Sequence, residues 1–336
     1  VHYSGVGAVP MGMSNPDLTW QTTKKANIGL TSAFFNDKLN VNFDYYFENT
    51  DDMLIDMSLP PSSGAKSVKS NIGRQRSTGF EFNVWAKLID RKDWNWTLTL
   101  NGLHSRTTIL GISDALKRWN ERNANANEDA APRLQYREGE SPTAIYAVRS
   151  AGIDPASGRE IFITRDGQYT YTYNPADQVK TGDTNPFLQG SISSQLRWRR
   201  FYLITSFSYR FGGDMYNATR ASKIENIDPQ KNADLRAFTE RWAQPGDVVP
   251  YLNISTTGGK SYAYTDRFVE RDNELWFSSL QLRYDMPDRI SKRFFAEKVY
   301  LSLGFADLFR LTSARYERGM SYPFSREVNL TVNVTF

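Results

Sequence analysis

The amino-acid sequence predicts an all-β fold, built as about nine strands of a transmembrane antiparallel β-barrel. Apolar and polar residues alternate strictly in segments of about ten residues, and the links between these segments are alternately short and long. The chain has no run of 18 apolar residues, so no transmembrane helix is expected. A barrel strand needs no such run, because one of its sides meets lipid and the other meets the lumen.

The last segment shows the alternation most clearly. Its apolar positions are Val328, Leu330, Val332, Val334 and Phe336, and every residue between them is Asn or Thr. A tilted strand of roughly 9–11 residues crosses a bilayer, so this segment has the required length. The same alternation predicts eight further strands, which lie near residues 26–34, 39–48, 80–88, 94–101, 188–198, 201–209, 280–286 and 299–305.

The links between the predicted strands fall into two classes. The short links lie near residues 36–38, 90–92, 199–200 and 287–298. The long links lie near residues 49–68, 111–183, 214–270 and 310–325. If the chain ends in the periplasm, every short link is periplasmic and every long link is extracellular, which is the arrangement of outer-membrane barrels.

Composition excludes several other classes of protein. The chain has no Cys, so disulfides, thiolate catalysis and Cys-based metal sites are excluded. Its two His residues, His2 and His104, leave little for acid–base chemistry, and a net charge of +4 is too balanced to indicate nucleic-acid binding. A soluble β-sandwich also alternates on one face. Aromatic outward residues, long strands and links separated by length favour the barrel.

Nine strands cannot close a barrel of even strand number, and an open sheet would leave backbone groups unpaired in hydrocarbon. We therefore expect the remaining strands to come from a missing N-terminal part of the same protein. The first residues do not form a signal peptide, so Val1 is not expected to be the natural start. No segment reads as a plug domain.

Several short motifs resemble, in their order and spacing, those of SusC/RagA-type TonB-dependent outer-membrane transporters. The resemblance covers nearly the whole chain. The motifs are Asn15-Pro16-Asp17-Leu18-Thr19-Trp20, Leu59-Pro60-Pro61-Ser62-Ser63-Gly64, Gly79-Phe80-Glu81, Glu138-Gly139-Glu140-Ser141, Gly152-Ile153-Asp154-Pro155, Gly182-Asp183-Thr184-Asn185-Pro186, Arg241-Trp242 with Pro245-Gly246-Asp247, and Leu275-Trp276 with Leu280, Leu282, Tyr284 and Pro287.

The resemblance implies a chain that is the C-terminal part of a 22-stranded barrel, preceded by a signal peptide, a small extension domain and a plug. It implies residence in the outer membrane of a Gram-negative, Bacteroidetes-type bacterium, in contact with outer-membrane lipid. It also implies two partners, a SusD-like surface lipoprotein and a TonB complex that grips the missing N-terminal region. Phe336 resembles the terminal aromatic residue that serves as the assembly signal of outer-membrane barrels.

Candidate site residues are binding residues rather than catalytic ones. No nucleophile, general base, cofactor motif or clustered metal ligands stand out, so no enzyme activity, cofactor or metal is expected. Loop aromatics could stack on sugar rings or peptide side chains, although packing between loops or against the lid lipoprotein would use them equally well. These residues are Tyr169, Tyr171, Tyr173, Tyr262 and Tyr264. The polar positions predicted to face the lumen are Asn40, Asn42, Asn83, Asn101, Gln195, Arg197 and Arg283.

Three functions remain open from the sequence. The first is energised import of an oligosaccharide or oligopeptide by the SusC-like barrel of a SusCD-type complex. The second is a passive porin-like or structural outer-membrane barrel, which differs in lacking a plug and a TonB-contacting motif. The third is a soluble carbohydrate-binding β-domain, which would fold alone and need no detergent.

Overall fold

The computed structural model describes residues 13–58, 64–65, 67–71, 73–125, 131–227, 234–256, 263–315 and 326–336. Strands dominate these residues. In chain order they are β1 Thr22–Phe34, β2 Leu39–Asp51, β3 Leu54–Ser58, β4 Ser67–Asn71, β5 Gly73–Asp90, β6 Trp94–Ile112, β7 Ala144–Ala147, β8 Arg149–Ile153, β9 Glu160–Ile163, β10 Tyr169–Thr170, β11 Val179–Asp183, β12 Leu188–Trp198, β13 Phe201–Tyr216, β14 Val269–Asp285, β15 Lys298–Thr312 and β16 Glu327–Thr335.

Helical structure is confined to the connections. The longest helix, α1, spans Asp114–Asn125. Short helical turns occupy Pro175–Asp177, Ala218–Arg220, Ala221–Glu225, Arg236–Thr239, Ile254–Thr256, Asp266–Phe268, Asp288–Ser291 and Lys292–Phe294. In the described parts of the chain, no helix has the length and apolar character needed to cross a membrane.

Nine strands form one antiparallel sheet in the order β1-β2-β5-β6-β12-β13-β14-β15-β16. Each strand pairs with the strand before and after it in that order, so the sheet is an uninterrupted meander. The nine predicted strands and their antiparallel arrangement are confirmed. Three small sheets, β8-β9-β10, β7-β11 and β3-β4, lie in the connections.

The two ends of the sheet differ in the length of their connections. Residues 35–38, 91–93, 199–200 and 286–297 connect strands at one end, which we call the short-turn end. Residues 52–72, 113–187, 217–268 and 313–326 connect strands at the opposite end, the long-loop end. The short turns use the left-handed backbone at Asn36, Asp37 and Arg199 (φ 56°, 61° and 53°).

Some strands extend beyond the predicted segments. β5 and β6 contain 18 and 19 residues and remain paired to Gly73 and Ile112, past the apolar stretch. In this extension the paired residues are polar, for example Ser77 with Thr107, whose hydroxyls lie 2.8 Å apart. Backbone pairing therefore continues where the alternation of side chains has stopped.

The strand register assigns every side chain to one of two faces. Asn42 lies opposite Asn83, Asn83 opposite Asn101, and Asn101 opposite Ser191, so polar residues run as a row across four strands. The neighbouring positions belong to the other, apolar face. One side of the sheet is thus polar and the other apolar along most of its width, as in a barrel wall.

Aromatic side chains form a row at each edge of the apolar face. At the short-turn end Trp94 stacks on Trp198 with ring centroids 5.6 Å apart, and Phe201 lies 4.7 Å from Tyr284. At the long-loop end the ring of His104 lies 5.1 Å from that of Phe80 and 4.6 Å from that of Phe187. Ten residues separate Trp94 from His104 on β6, or about 25 Å across the membrane for a strand tilted by roughly 40°. That spacing matches the apolar band between the aromatic girdles of outer-membrane barrels.

The buried core lies in the long connections rather than in the sheet. One cluster contains Ala221, Ile224, Ile227, Ala237, Tyr251 and Phe268, all within residues 217–268. A second cluster forms around Leu116 of α1, which packs against Ile55, Val68 and Trp119. The long connections are therefore folded bodies that sit at one end of the sheet.

Candidate functional site

The polar face of the sheet lines a cleft of about 740 Å³. Seven adjacent strands, from β2 to β15 in the order of the sheet, contribute to it. Its charged part is held by ion pairs: Arg210 lies 2.8 Å from Asp272 and 3.0 Å from Glu274, and Glu274 lies 2.7 Å from Arg310. The Arg310 guanidinium also stacks 4.9 Å from the ring of Trp276. Fixed charges beside an aromatic ring suit the binding of a polar, partly apolar molecule.

The seven residues predicted to face the lumen all lie on the polar face. Asn42, Asn83 and Asn101 line the 740 Å³ cleft, while Gln195 and Arg197 line a smaller one of about 300 Å³ toward the short-turn end. The Asn101 amide donates to Ser191 Oγ (2.8 Å) and its oxygen accepts from the Ser191 backbone N–H (3.1 Å).

The remaining two residues, Asn40 and Arg283, also lie toward the short-turn end. Asn40 donates to the Asp37 carbonyl at 3.2 Å. Arg283 donates to Asp285 at 2.7 Å and stacks on Tyr202 and Tyr300, with centroid distances of 5.1 and 4.2 Å. Contact of any of these seven side chains with a solute stays a prediction.

Arg267, whose side chain is 12% exposed, joins the two largest connections, 113–187 and 217–268. Arg267 donates to both carboxylate oxygens of Glu160 (2.6 and 2.7 Å) and to Glu225 (3.0 Å). Burial alone would lower the pKa of Arg267, but the charges of Glu160 and Glu225 outweigh it and raise that pKa. Burial also raises the pKa of Glu225, against the opposing effect of Arg267.

Backbone contacts add to this joint. The backbone of Val148, which lies between β7 and β8, donates to the Tyr264 carbonyl (2.8 Å) and accepts from the Asp266 N–H (3.1 Å). This segment of the first connection is therefore hydrogen-bonded to the end of the second. The indole of Trp242 donates to the Pro155 carbonyl at 2.9 Å. Gly158 lies beneath the same indole. The two connections therefore form one packed body.

Tyr169 and Tyr171 are exposed, in contrast to Tyr173 and Tyr264, the other members of the aromatic set that the structure describes. Strands β9 and β10 form a small hairpin, in which Tyr169 pairs with Ile163 and Thr170 with Phe162. Tyr169 is 72% exposed and Tyr171 is 44% exposed. Tyr171 donates its hydroxyl to Asp154 (3.0 Å), and Arg159 lies 4.7 Å from its ring centroid. Ser157 and a backbone N–H, together with Tyr171, hold the pKa of Asp154 below its ordinary value.

The other tyrosines have packing contacts. Tyr264 is buried and meets Tyr216 edge-on, with centroids 6.4 Å apart. Tyr173 is half-buried, meets Phe162 edge-on at 5.6 Å and accepts a hydrogen bond from Gln178 at 3.2 Å. The sequence analysis gave packing within the loops as the alternative to stacking on a solute, and Tyr173 and Tyr264 make contacts of that kind. Tyr262 lies outside the described residues.

Sequence reasoning did not find the buried charges of the loops. Arg241 donates to the carbonyls of Ala237, Leu252, Ile224 and Glu225, and thereby ties its connection together. It was part of a recognised motif, but nothing in the sequence marked its burial. Among the residues that the structure describes, no group of three or more His, Cys, Asp or Glu side chains is placed to hold a metal ion.

Comparison with known sequences identifies one family over most of the chain. The profile of the family described as "TonB dependent receptor-like, beta-barrel" matches residues 3–254. The chain is 24% identical to TonB-dependent receptor P39 of Formosa agariphila, over 98% of this chain and 37% of that protein. It is 27% identical to TonB-dependent receptor SusC of Bacteroides thetaiotaomicron, over 80% of this chain and 26% of that protein.

Solved structures show the same fold. The RagAB peptide importer in its "open-open" state superposes with a TM-score of 0.76 and 21% identity, over 97% of this chain and 36% of the matched chain. Its "closed-closed" state gives a TM-score of 0.72 and 24% identity, over 90% and 33%. The chain thus spans about a third of the length of the structures and of the first relative that it matches.

These comparisons confirm the resemblance to SusC/RagA-type transporters that the motifs indicated. The nine-stranded antiparallel sheet, with its polar and apolar faces, is the architecture that the family description names. Because the family profile covers 252 of the 336 residues, the chain belongs to the TonB-dependent receptor-like β-barrel family.

Proposed function

We propose that this chain is part of the wall and loops of an outer-membrane transporter, which imports an oligosaccharide or oligopeptide with energy supplied through TonB. The observation that carries the proposal is the polar cleft on one face of a lipid-compatible sheet, in a chain of this family. Family members are outer-membrane β-barrels, and the family is one of transporters rather than enzymes.

The proposed partners follow from the same relatives. A further, N-terminal part of the same protein, proposed because this chain spans about a third of the length of its relatives, would supply the plug, the rest of the barrel and the TonB-contacting segment. A SusD-like lipoprotein would cover the long-loop end, which we place outside the cell. Support comes from the relative named SusC and from neighbours whose structures are of the RagAB importer. Tyr169 and Tyr171 are exposed at that end and are the tyrosines best placed to meet a solute or the lid.

Uptake by the full-length transporter in its host tests the proposal. Fluorescent oligopeptides and oligosaccharides of several lengths would be offered to cells before and after collapse of the proton gradient. Uptake of one class that needs both the gene and the gradient is expected. Uptake of small solutes that persists without the gradient would overturn energised import and favour the second candidate, a passive porin.

A further inference from the structure

A groove interrupts the apolar face of the sheet at the short-turn end. It has a volume of about 420 Å³, within the range of roughly 300–1,000 Å³ typical of small-molecule sites. Its lining is almost entirely apolar and includes the Leu203, Leu282 and Leu303 side chains on three neighbouring strands. These leucines lie in register with one another, so the groove crosses β13, β14 and β15.

Aromatic rings border the groove on the side nearer the turns. Trp198 stacks on Trp94 at 5.6 Å and lies 5.8 Å from Phe201, which in turn lies 4.7 Å from Tyr284. Such rings mark the level of the lipid headgroups in outer-membrane barrels. The groove therefore occupies the depth of the acyl chains, directly beneath the headgroup layer.

Cationic side chains stand immediately beyond these rings. The guanidinium of Arg199 lies 6.0 Å from the Trp198 ring centroid, on an exposed turn. Arg199 has a weak partner in Asp93, 3.8 Å away, and both side chains are exposed. Arg200 uses one N–H to donate to the Met286 carbonyl (3.0 Å), which fixes its position beside the next strand.

Charge in this region is unbalanced. The turns at residues 90–93 and 199–200 contribute four cations, Arg91, Lys92, Arg199 and Arg200, against Asp90 and Asp93, and the turn at residues 286–297 adds three cations against two anions. Lys87 of β5 pairs with Asp90 at 3.3 Å and so neutralises it. Guanidinium groups bind phosphate oxygens through charge-assisted hydrogen bonds, and basic pockets at a membrane face attract anionic headgroups.

We propose that this groove is a binding site for one anionic glycerophospholipid. An acyl chain lies between the leucines of the groove, and the phosphate contacts Arg199 and Arg200. An apolar slot that is capped with cations at headgroup depth fits this chemistry. The proposal relies on the proposed outer-membrane location, but not on import or on the identity of the solute.

Native mass spectrometry of the full-length transporter tests this site. The protein would be delipidated in detergent and then incubated with phosphatidylglycerol, phosphatidylethanolamine or lipid A. We expect preferential retention of phosphatidylglycerol, and a loss of that retention by roughly thirtyfold in the double variant Arg199→Gln/Arg200→Gln. Leu282→Trp, which fills the groove, should weaken retention as well.

Two control variants make the test specific. Arg118→Gln/Arg122→Gln removes the same charge from exposed positions of α1 at the long-loop end. Leu30→Trp adds the same ring to the apolar face on β1, far from the groove. Resistance of each unboiled variant to SDS reports that its barrel is folded. Neither control should change retention.

Three results would overturn the site: unchanged retention in the Arg199/Arg200 variant, an equal loss in the Arg118/Arg122 control, or preferential retention of lipid A. Energised uptake is measured in parallel on the same variants. Failure of uptake with retained lipid counts against the proposed function alone, and loss of lipid selectivity with intact uptake counts against the lipid site alone.

Discussion

Arg267 and Glu160, which are 107 residues apart in the sequence, form a bidentate ion pair with N···O distances of 2.6 and 2.7 Å. The side chains of Arg267 and Glu160 are 12% and 3% exposed, and Glu225 completes the cluster at 3.0 Å from Arg267. The pair links the two largest connections at the long-loop end. One arginine thereby holds together the folded body at the long-loop end of the sheet.

Replacing Arg267 with Met should loosen that body. The substitution leaves two carboxylates buried without a cation, and breaking a buried pair in this way costs roughly 3–5 kcal/mol. Hydrogen exchange in residues 144–163 and 217–227 should rise, while exchange in the nine-stranded sheet stays unchanged. Arg159→Met is the matched control, because Arg159 is exposed and should cost no more than about 1 kcal/mol. Equal effects of the two variants would contradict the role assigned to Arg267.

Gly158→Ala should separate the two connections at a second point. A Cβ at Gly158 would lie 2.5 Å from the Trp242 ring, and the residue has a φ of +68°. Gly167→Ala is the control, since Gly167 has a φ of +85° but a Cβ there would meet nothing within 4 Å. Both variants carry backbone strain of about 1–3 kcal/mol. Only Gly158→Ala should also shift the Trp242 emission, and a shift of similar size in both would mean that the contact is unimportant.

Phe336→Ser should reduce assembly of the full-length barrel in cells. Phe336 is exposed at the end of the last strand, where its ring is accessible to an assembly factor. Phe295→Ser is the control, because Phe295 is equally exposed but lies in a short turn. Folded protein in outer-membrane fractions would be quantified by resistance to SDS before boiling. Normal assembly of the Phe336 variant would rule out its role as the signal.

Acid should open the turn around Trp242. Asp247 accepts hydrogen bonds from the backbone N–H groups of Ala243 (3.0 Å) and Gln244 (2.9 Å), and these bonds lower its pKa. The Asp247 carboxyl therefore binds a proton less tightly in the folded turn than in the unfolded chain, where an Asp has a pKa of about 3.9. The stabilisation that the Asp247 carboxylate gives the turn is complete above a pH of about 3.9. It disappears as the pH falls through the lowered pKa of Asp247.

The fluorescence of Trp242 measures this transition. It is obtained by subtracting the emission spectrum of the Trp242→Phe variant from that of the unsubstituted protein. The emission should remain constant from pH 7 to about 4 and change only below that value. Asp247→Asn retains an oxygen acceptor that does not titrate, so the change should disappear in that variant. A transition of the same size and midpoint in the Asn variant would show that another group is responsible.

The wall of the barrel was predictable because its signal is local. Each strand is recognised within ten residues by alternation, as between Val328 and Phe336, and the same rule assigned Asn42, Asn83 and Asn101 to one face. The folded connections were not predictable in this way. Arg267 meets Glu160 and Glu225 at separations of 107 and 42 residues, and no local pattern in the sequence pairs these three side chains. The contact between the two largest connections depends on tertiary interactions that no local sequence pattern encodes.

The central claim is that one face of this sheet contacts lipid and the other lines the lumen. The chain contains no Cys, so single cysteines at each position from Val299 to Phe305 can carry a spin label without background from these residues. Accessibility to oxygen, which concentrates in lipid, would be measured for the full-length protein in bilayers. The account predicts maxima at Leu301, Leu303 and Phe305 and minima at Tyr300, Ser302 and Gly304, while Val299, which is only 7% exposed, should give a low value. A flat or inverted profile would contradict it.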